Sequence, residues 1–246
     1  MTRWFTLSVA LTVLAVGFSL YIFFGYYGQL PEQVPTHWGI DGQPNGWTPK
    51  ENIWGTFILM PGVMAALVAL TAVLPWLSPK AFDLNRFRSI YEYIMCLAVA
   101  LMGYLHVVIL LGSLQVLPLD MGQVILGGMC LFFALLGNVL GKVKRNFYVG
   151  VKTPWTLASE VVWTQTHRLA AWMFTAVGVV GFVVLAATTL LGVRSPWLFV
   201  VPFAGIMAAA FVPVFYSLYL YKKLEGEGRL ETQQPAPAAP PAQGPA

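Results

Sequence analysis

Six uninterrupted apolar blocks, each at least 20 residues long, leave this chain few ways to fold. They run from about Trp4 to Tyr27, Ile53 to Leu77, Ile90 to Leu117, Met121 to Leu140, Leu169 to Val193 and Trp197 to Tyr221. At 1.5 Å rise per helical residue each block crosses the roughly 30 Å of hydrocarbon in a bilayer. A soluble globule has too little polar surface to cover six such segments, and only 10% of the 246 residues are charged, against about 25% in soluble domains. An outer-membrane barrel would need segments of about ten residues with alternating polarity, and no block alternates. The sequence therefore predicts an all-α, polytopic membrane protein of six transmembrane helices.

The first block follows Arg3, but it is about 24 residues long and leads into a Pro-rich loop, so it reads as an uncleaved signal anchor. Of the 14 Lys and Arg residues, 12 fall in the segments on the side of the termini; only Lys50 and Arg194 lie opposite. Basic residues are retained on the cytoplasmic side, so the expected orientation puts both termini in the cytoplasm. The net charge of +4 then reflects topology and contact with membrane lipids rather than direct nucleic-acid binding. Cys96 and Cys130 fall inside different spans and read as buried small apolar residues.

Two connections are long enough to carry function. The external one, "GQLPEQVPTHWGIDGQPNGWTPKEN", has Pro at 31, 35, 44 and 49 and the turn pairs Asp41-Gly42 and Asn45-Gly46. That many backbone constraints suit a compact cap containing a short hairpin, with Gly42 and Gly46 at positive φ. The internal one, "KVKRNFYVGVKTPWTLASEVVWTQTHR", is basic and aromatic. Thr156 reads as an N-cap, and an amphipathic helix from about Leu157 is expected at the inner surface before the fifth span. On it Glu160, Trp163, Thr164 and His167 share one face at the 3.6-residue period. From Gln233 the chain is Pro- and Ala-rich without charge, the composition of a disordered tail. The expected division is a helix pair with the external loop (1–78), a four-helix membrane region with the inner loop (79–224) and the tail (225–246).

The internal stretch resembles the signature of the SdpI family of bacterial integral membrane proteins. The matching positions are Arg145, Asn146, Gly150, Lys152, Thr153, Pro154, Trp155, Thr156, Leu157, Glu160, Trp163, His167 and Arg168. Lys152 stands where the family more often has arginine, and lysine does not reproduce a bidentate fork. The external stretch is similar to a domain of unknown function that commonly precedes this signature, through Pro35, His37, Gly42 and Lys50. The resemblance implies an immunity protein that protects a bacterium from a membrane-active peptide toxin. It also implies a relay of the toxin's presence to a cytoplasmic transcriptional repressor in some systems.

Arg145, Asn146, Lys152, Thr153, Trp155, Glu160, Trp163, His167 and Arg168 form the candidate recognition set. They would bind an anionic headgroup, a peptide or a cytoplasmic regulator, with the tryptophans as interfacial anchors. The competing reading makes them structural, holding the surface helix to its neighbours. His37 and Asp41 in the external loop are either a hydrogen-bonded structural pair or metal ligands, and two residues give a sparse ligand set. Within the spans, Glu92 and His106 lie 14 residues apart on one helix face; buried ionisable groups are costly, so a small transporter or lipid-binding permease is the alternative function. No nucleophile motif, phosphate loop or His-Glu-x-x-His run is present, so neither catalysis nor a cofactor is expected.

Overall fold

The computed structural model describes residues 2–116 and 120–230. Among them, six helices are long and apolar enough to cross a membrane. Helix α1 (Arg3–Tyr26) leads into the antiparallel hairpin β1 (Gln33–Trp38) and β2 (Pro44–Pro49), followed by α2 (Trp54–Leu77), α3 (Arg88–Ser113) and α4 (Met121–Leu140). A loop and one short helix, α5 (Pro154–Ala158), precede α6 (Glu160–Leu190) and α7 (Trp197–Gly226). The Pro- and Ala-rich tail expected to be disordered lies outside the described residues.

The spans hide their few polar groups locally. The hydroxyls of Ser8, Thr12 and Thr71 donate to the carbonyls of Trp4, Ser8 and Leu67, four residues back in the same helix. Pro61 inside α2 has no N–H to give the carbonyl of Phe57, and Ser19 on α1 donates to that oxygen at 2.9 Å instead. An unsatisfied carbonyl at this depth would cost several kcal/mol, so the Ser19 hydroxyl is what makes the proline tolerable.

Helices α1, α2 and α3 pack on one another, α4, α6 and α7 do the same, and α3 against α4 joins the two trios. The α4–α6 contact is the most extensive. Their backbones meet at Gly178, where a Cβ would come within 2.6 Å of the Cys130 carbonyl oxygen. The largest buried cluster unites Leu84, Phe87 and Tyr91 with Leu140, Val143, Trp163 and Phe174, and so lies under the loop between α4 and α5. At the opposite end the hairpin leans on both trios. Ser113 donates to the Pro35 carbonyl at 2.9 Å, and the turn residue Gly42 rests on Asp120 at the start of α4.

Several expectations require correction. The amphipathic surface helix does not form. Residues 160–168 are the first turns of α6, a single 31-residue helix, because Ser159 is extended and caps α6 by accepting from the Val162 N–H. The cap of the short α5 is Thr153, with Thr156 as its reciprocal partner, rather than Thr156 alone. Gly42 is at positive φ (72°), but Gly46 is not; it is small because the His37 side chain crosses it, 3.0 Å from where a Cβ would sit.

Candidate functional site

The loop from Gly141 to Thr153 is organised by one buried side chain. Asn146 is completely inaccessible, and its amide uses its whole hydrogen-bonding capacity on this loop. Nδ2 donates to the carbonyls of Lys144 (2.8 Å) and Val149 (3.0 Å), while Oδ1 accepts from the N–H groups of Tyr148 (2.7 Å) and Val149 (2.8 Å). No other residue type places two donors and two acceptors on so short a stem. The Lys152 ammonium closes the same turn from outside, donating to the carbonyls of Phe147 and Tyr148 at 3.0 and 3.2 Å.

From α6, His167 completes the fold of the loop. Its Nε2 accepts from the Val151 N–H at 3.0 Å and its Nδ1 donates to the Trp163 carbonyl at 2.8 Å, which fixes a neutral ring with the proton on Nδ1. The ring stacks on Trp163 with centroids 4.0 Å apart, and Trp163 Nε1 donates to the Val143 carbonyl at 2.8 Å. Gly150, at φ 119°, passes so close to His167 Nε2 that any Cβ there would collide with it. Trp163 is therefore a core residue and not the interfacial anchor expected from its position in the sequence; Trp155, half-buried, packs beside Val162, Leu220 and Leu224.

Arg145 crosses the loop to the helices. Its Nη1 donates to the Leu157 carbonyl at 3.0 Å and its Nε lies 3.3 Å from Glu160 Oε2, an ion pair without hydrogen-bond alignment. The guanidinium also sits 5.6 Å over the Phe82 ring. Thr153 and Thr156 satisfy each other's N–H groups, and the Thr153 hydroxyl meets Ser217 of α7 at 3.0 Å. The structure thus gathers Arg145, Asn146, Thr153, Trp163 and His167 into one inward-facing knot, which Lys152 closes from the exposed side. Glu160 and Arg168 remain exposed on its rim.

Phe147, which sequence reasoning passed over, is 44% exposed on that rim and packs on Phe82 with centroids 4.1 Å apart. Only its place between the two loop-closing residues, Asn146 and Lys152, could have pointed to it. Lys142 and Lys144 of the same loop are also exposed. The face therefore combines a rigid backbone, an aromatic side chain and basic groups.

The remaining candidates lie elsewhere and apart from one another. His37 Nδ1 meets Asn45 Oδ1 across the hairpin, whereas Asp41 Oδ1 accepts from the Gln43 N–H, so the two do not converge. Among the described residues, no three His, Cys, Asp or Glu side chains are placed to hold a metal ion. Glu92 is buried, with Oε1 2.8 Å from Arg88 Nε and Oε2 accepting from the Thr2 N–H at 2.7 Å, so it ties the start of α1 to α3. His106, 14 residues further along α3, instead meets Ser19 Oγ at 2.7 Å through Nε2. At 1.5 Å per residue they stand about 21 Å apart, each with its own partners, and do not form one polar path.

Residues 142–217 match the SdpI/YfhL protein family, and residues 13–65 match a domain of unknown function, DUF1648. The chain is similar to the immunity protein SdpI of Bacillus subtilis (strain 168), with 25% identity over 200 residues, covering 81% of this chain and 89% of that protein. No solved structure matches it.

Proposed function

Residues 142–217 match the SdpI/YfhL protein family, and from that premise we propose that the chain is an immunity protein, conferring tolerance to a membrane-active peptide toxin by binding rather than by catalysis. The observation carrying this reading is the preorganised loop knot, which lies in the family-matched segment and spends its buried polar groups on its own backbone. Such a device holds a surface in one shape, and the surface it holds carries Lys142, Lys144, Phe147, Glu160 and Arg168. A fixed aromatic with a charged rim suits recognition of a peptide or protein partner. With the orientation given by the positive-inside bias, the face is cytoplasmic, where a repressor that reports the toxin's presence would also dock.

The test separates binding from scaffolding. Cells sensitive to the toxin and expressing the chain should survive it. Phe147→Ala and Arg168→Ala should each reduce survival while leaving membrane abundance near that of the parent, since neither side chain is buried or paired with a buried charge. Asn146→Ala and His167→Ala should lower abundance and survival together. If every rim variant loses survival only in proportion to its abundance, the recognition role of this face is wrong.

A further inference from the structure

Where the two trios meet at the hairpin end, an apolar groove of about 400 Å³ runs between α3, α4 and α6. It is walled by residues such as Leu97, Leu101, Leu131, Leu135 and Leu185, and ends at Gln123 and Thr189. From Gln123 to Leu135 is 12 residues of helix, or about 18 Å, comparable to the roughly 15 Å depth of one leaflet. Gln123 also lines a second cavity of about 160 Å³, directly above, whose walls include Asp41, Asp120, Arg194 and Ser195. A slot one leaflet deep and a small charged chamber at its head thus share Gln123 as a common wall.

The chamber's charges are not spent on one another. Among the described residues neither aspartate forms an ion pair with Arg194, although all three groups line the same cavity. Gln123 is held in place, its Nε2 donating to the Val193 carbonyl and its Oε1 accepting from Thr189. Asp120 Oδ1 accepts from the Gln123 N–H and Asp41 Oδ1 from the Gln43 N–H, and among the described residues the second oxygen of each carboxylate has no hydrogen-bond partner. Two further grooves, about 510 Å³ between α1 and α2 and about 820 Å³ between α1 and α3, have no charged residue among their lining residues.

We propose that this seam binds a phospholipid with a primary-amine headgroup, of the phosphatidylethanolamine type. One acyl chain lies in the α3–α4–α6 groove, the phosphate pairs with Arg194, and the ammonium donates to Asp41 and Asp120. A quaternary amine has no N–H to donate to the carboxylates, and a glycerol headgroup has no cation for them. The proposal stands independently of the immunity reading, because it uses the opposite end of the molecule and no toxin.

The full-length protein in detergent is equilibrated with equal amounts of phosphatidylethanolamine, phosphatidylcholine and phosphatidylglycerol of one acyl composition, and retained lipid is counted by native mass spectrometry. The ethanolamine lipid should be retained several-fold over the other two. Arg194→Ala should lower retention of the ethanolamine and glycerol lipids alike. Asp41→Asn, which keeps an acceptor for the Gln43 N–H but removes the charge, should lower the ethanolamine-to-glycerol ratio. Ala186→Trp, filling the groove from its lipid side, should lower retention of all three, and unchanged size-exclusion profiles confirm folded variants. Equal retention of ethanolamine and choline lipids, or an unchanged ratio in Asp41→Asn, overturns the proposal.

Discussion

Asn146 and His167 are the residues on which the loop depends, and both act by saturating backbone groups that would otherwise be buried and unpaired. Asn146→Ala strands two N–H groups and two carbonyls, so folded protein recovered in detergent should fall by the equivalent of about 3 kcal/mol or more. Gly150→Ala should destabilise through both its φ of 119° and its collision with His167. Only the collision is relieved when the ring is removed, so Gly150→Ala should cost less in a His167→Ala background. A double-mutant cycle on thermal unfolding should show a coupling of about 0.5–3 kcal/mol, and strict additivity would contradict the contact. The sequence placed these residues in one segment but could not say which way they face. Asn and His are polar, and composition alone treats polar loop residues as exposed; here local backbone demand overrides that expectation, since Asn146 has more partners inside the loop than outside it.

At the level of elements, the six spans were legible because length and apolarity leave a helix no alternative in a bilayer. Their ends were less so. Nothing in the run from Leu157 to Arg168 signals that Ser159, rather than Thr156, begins the long helix, because both are good caps and only the packing of Trp163 and His167 against the loop decides between them. The pairing of Ser19 with the carbonyl freed by Pro61 was equally hidden, since it joins residues on separate helices. It yields a specific expectation. Ser19→Ala should be more destabilising than Ser8→Ala, whose hydroxyl only bonds back within its own helix. Pro61→Ala should soften the effect of Ser19→Ala by restoring an N–H to the Phe57 carbonyl. Unfolding midpoints of the three single variants and the double variant in one detergent test this ordering. If Ser8→Ala is as harmful as Ser19→Ala, the serine does not serve the proline.

On the scale of the whole molecule, the 12-to-2 partition of basic residues calls for both termini in the cytoplasm. In intact cells a cysteine at Gln43 should react with an impermeant maleimide, whereas one at Glu225 should react only after permeabilisation; both sites are exposed and the native cysteines are buried. The reverse pattern would invert the protein. The two trios could not be read from the sequence, because the spans are apolar over most of their surface and the few polar residues in them do not name their partners. The hairpin is the part that bridges them, and its turn, built around Gly42, rests on Asp120. That seat lies 78 positions later in the chain. At a synthesis rate of about 5–20 residues per second the turn waits roughly 4–16 s for the surface it will lie on. During that interval its shape depends on its own bonds: Gly39 N–H to the Gln43 carbonyl, Gly42 N–H to the Gly39 carbonyl, and Gln43 N–H to Asp41. The nascent chain thus carries a finished latch before the catch has been made, and the second trio assembles onto a template already waiting across the membrane.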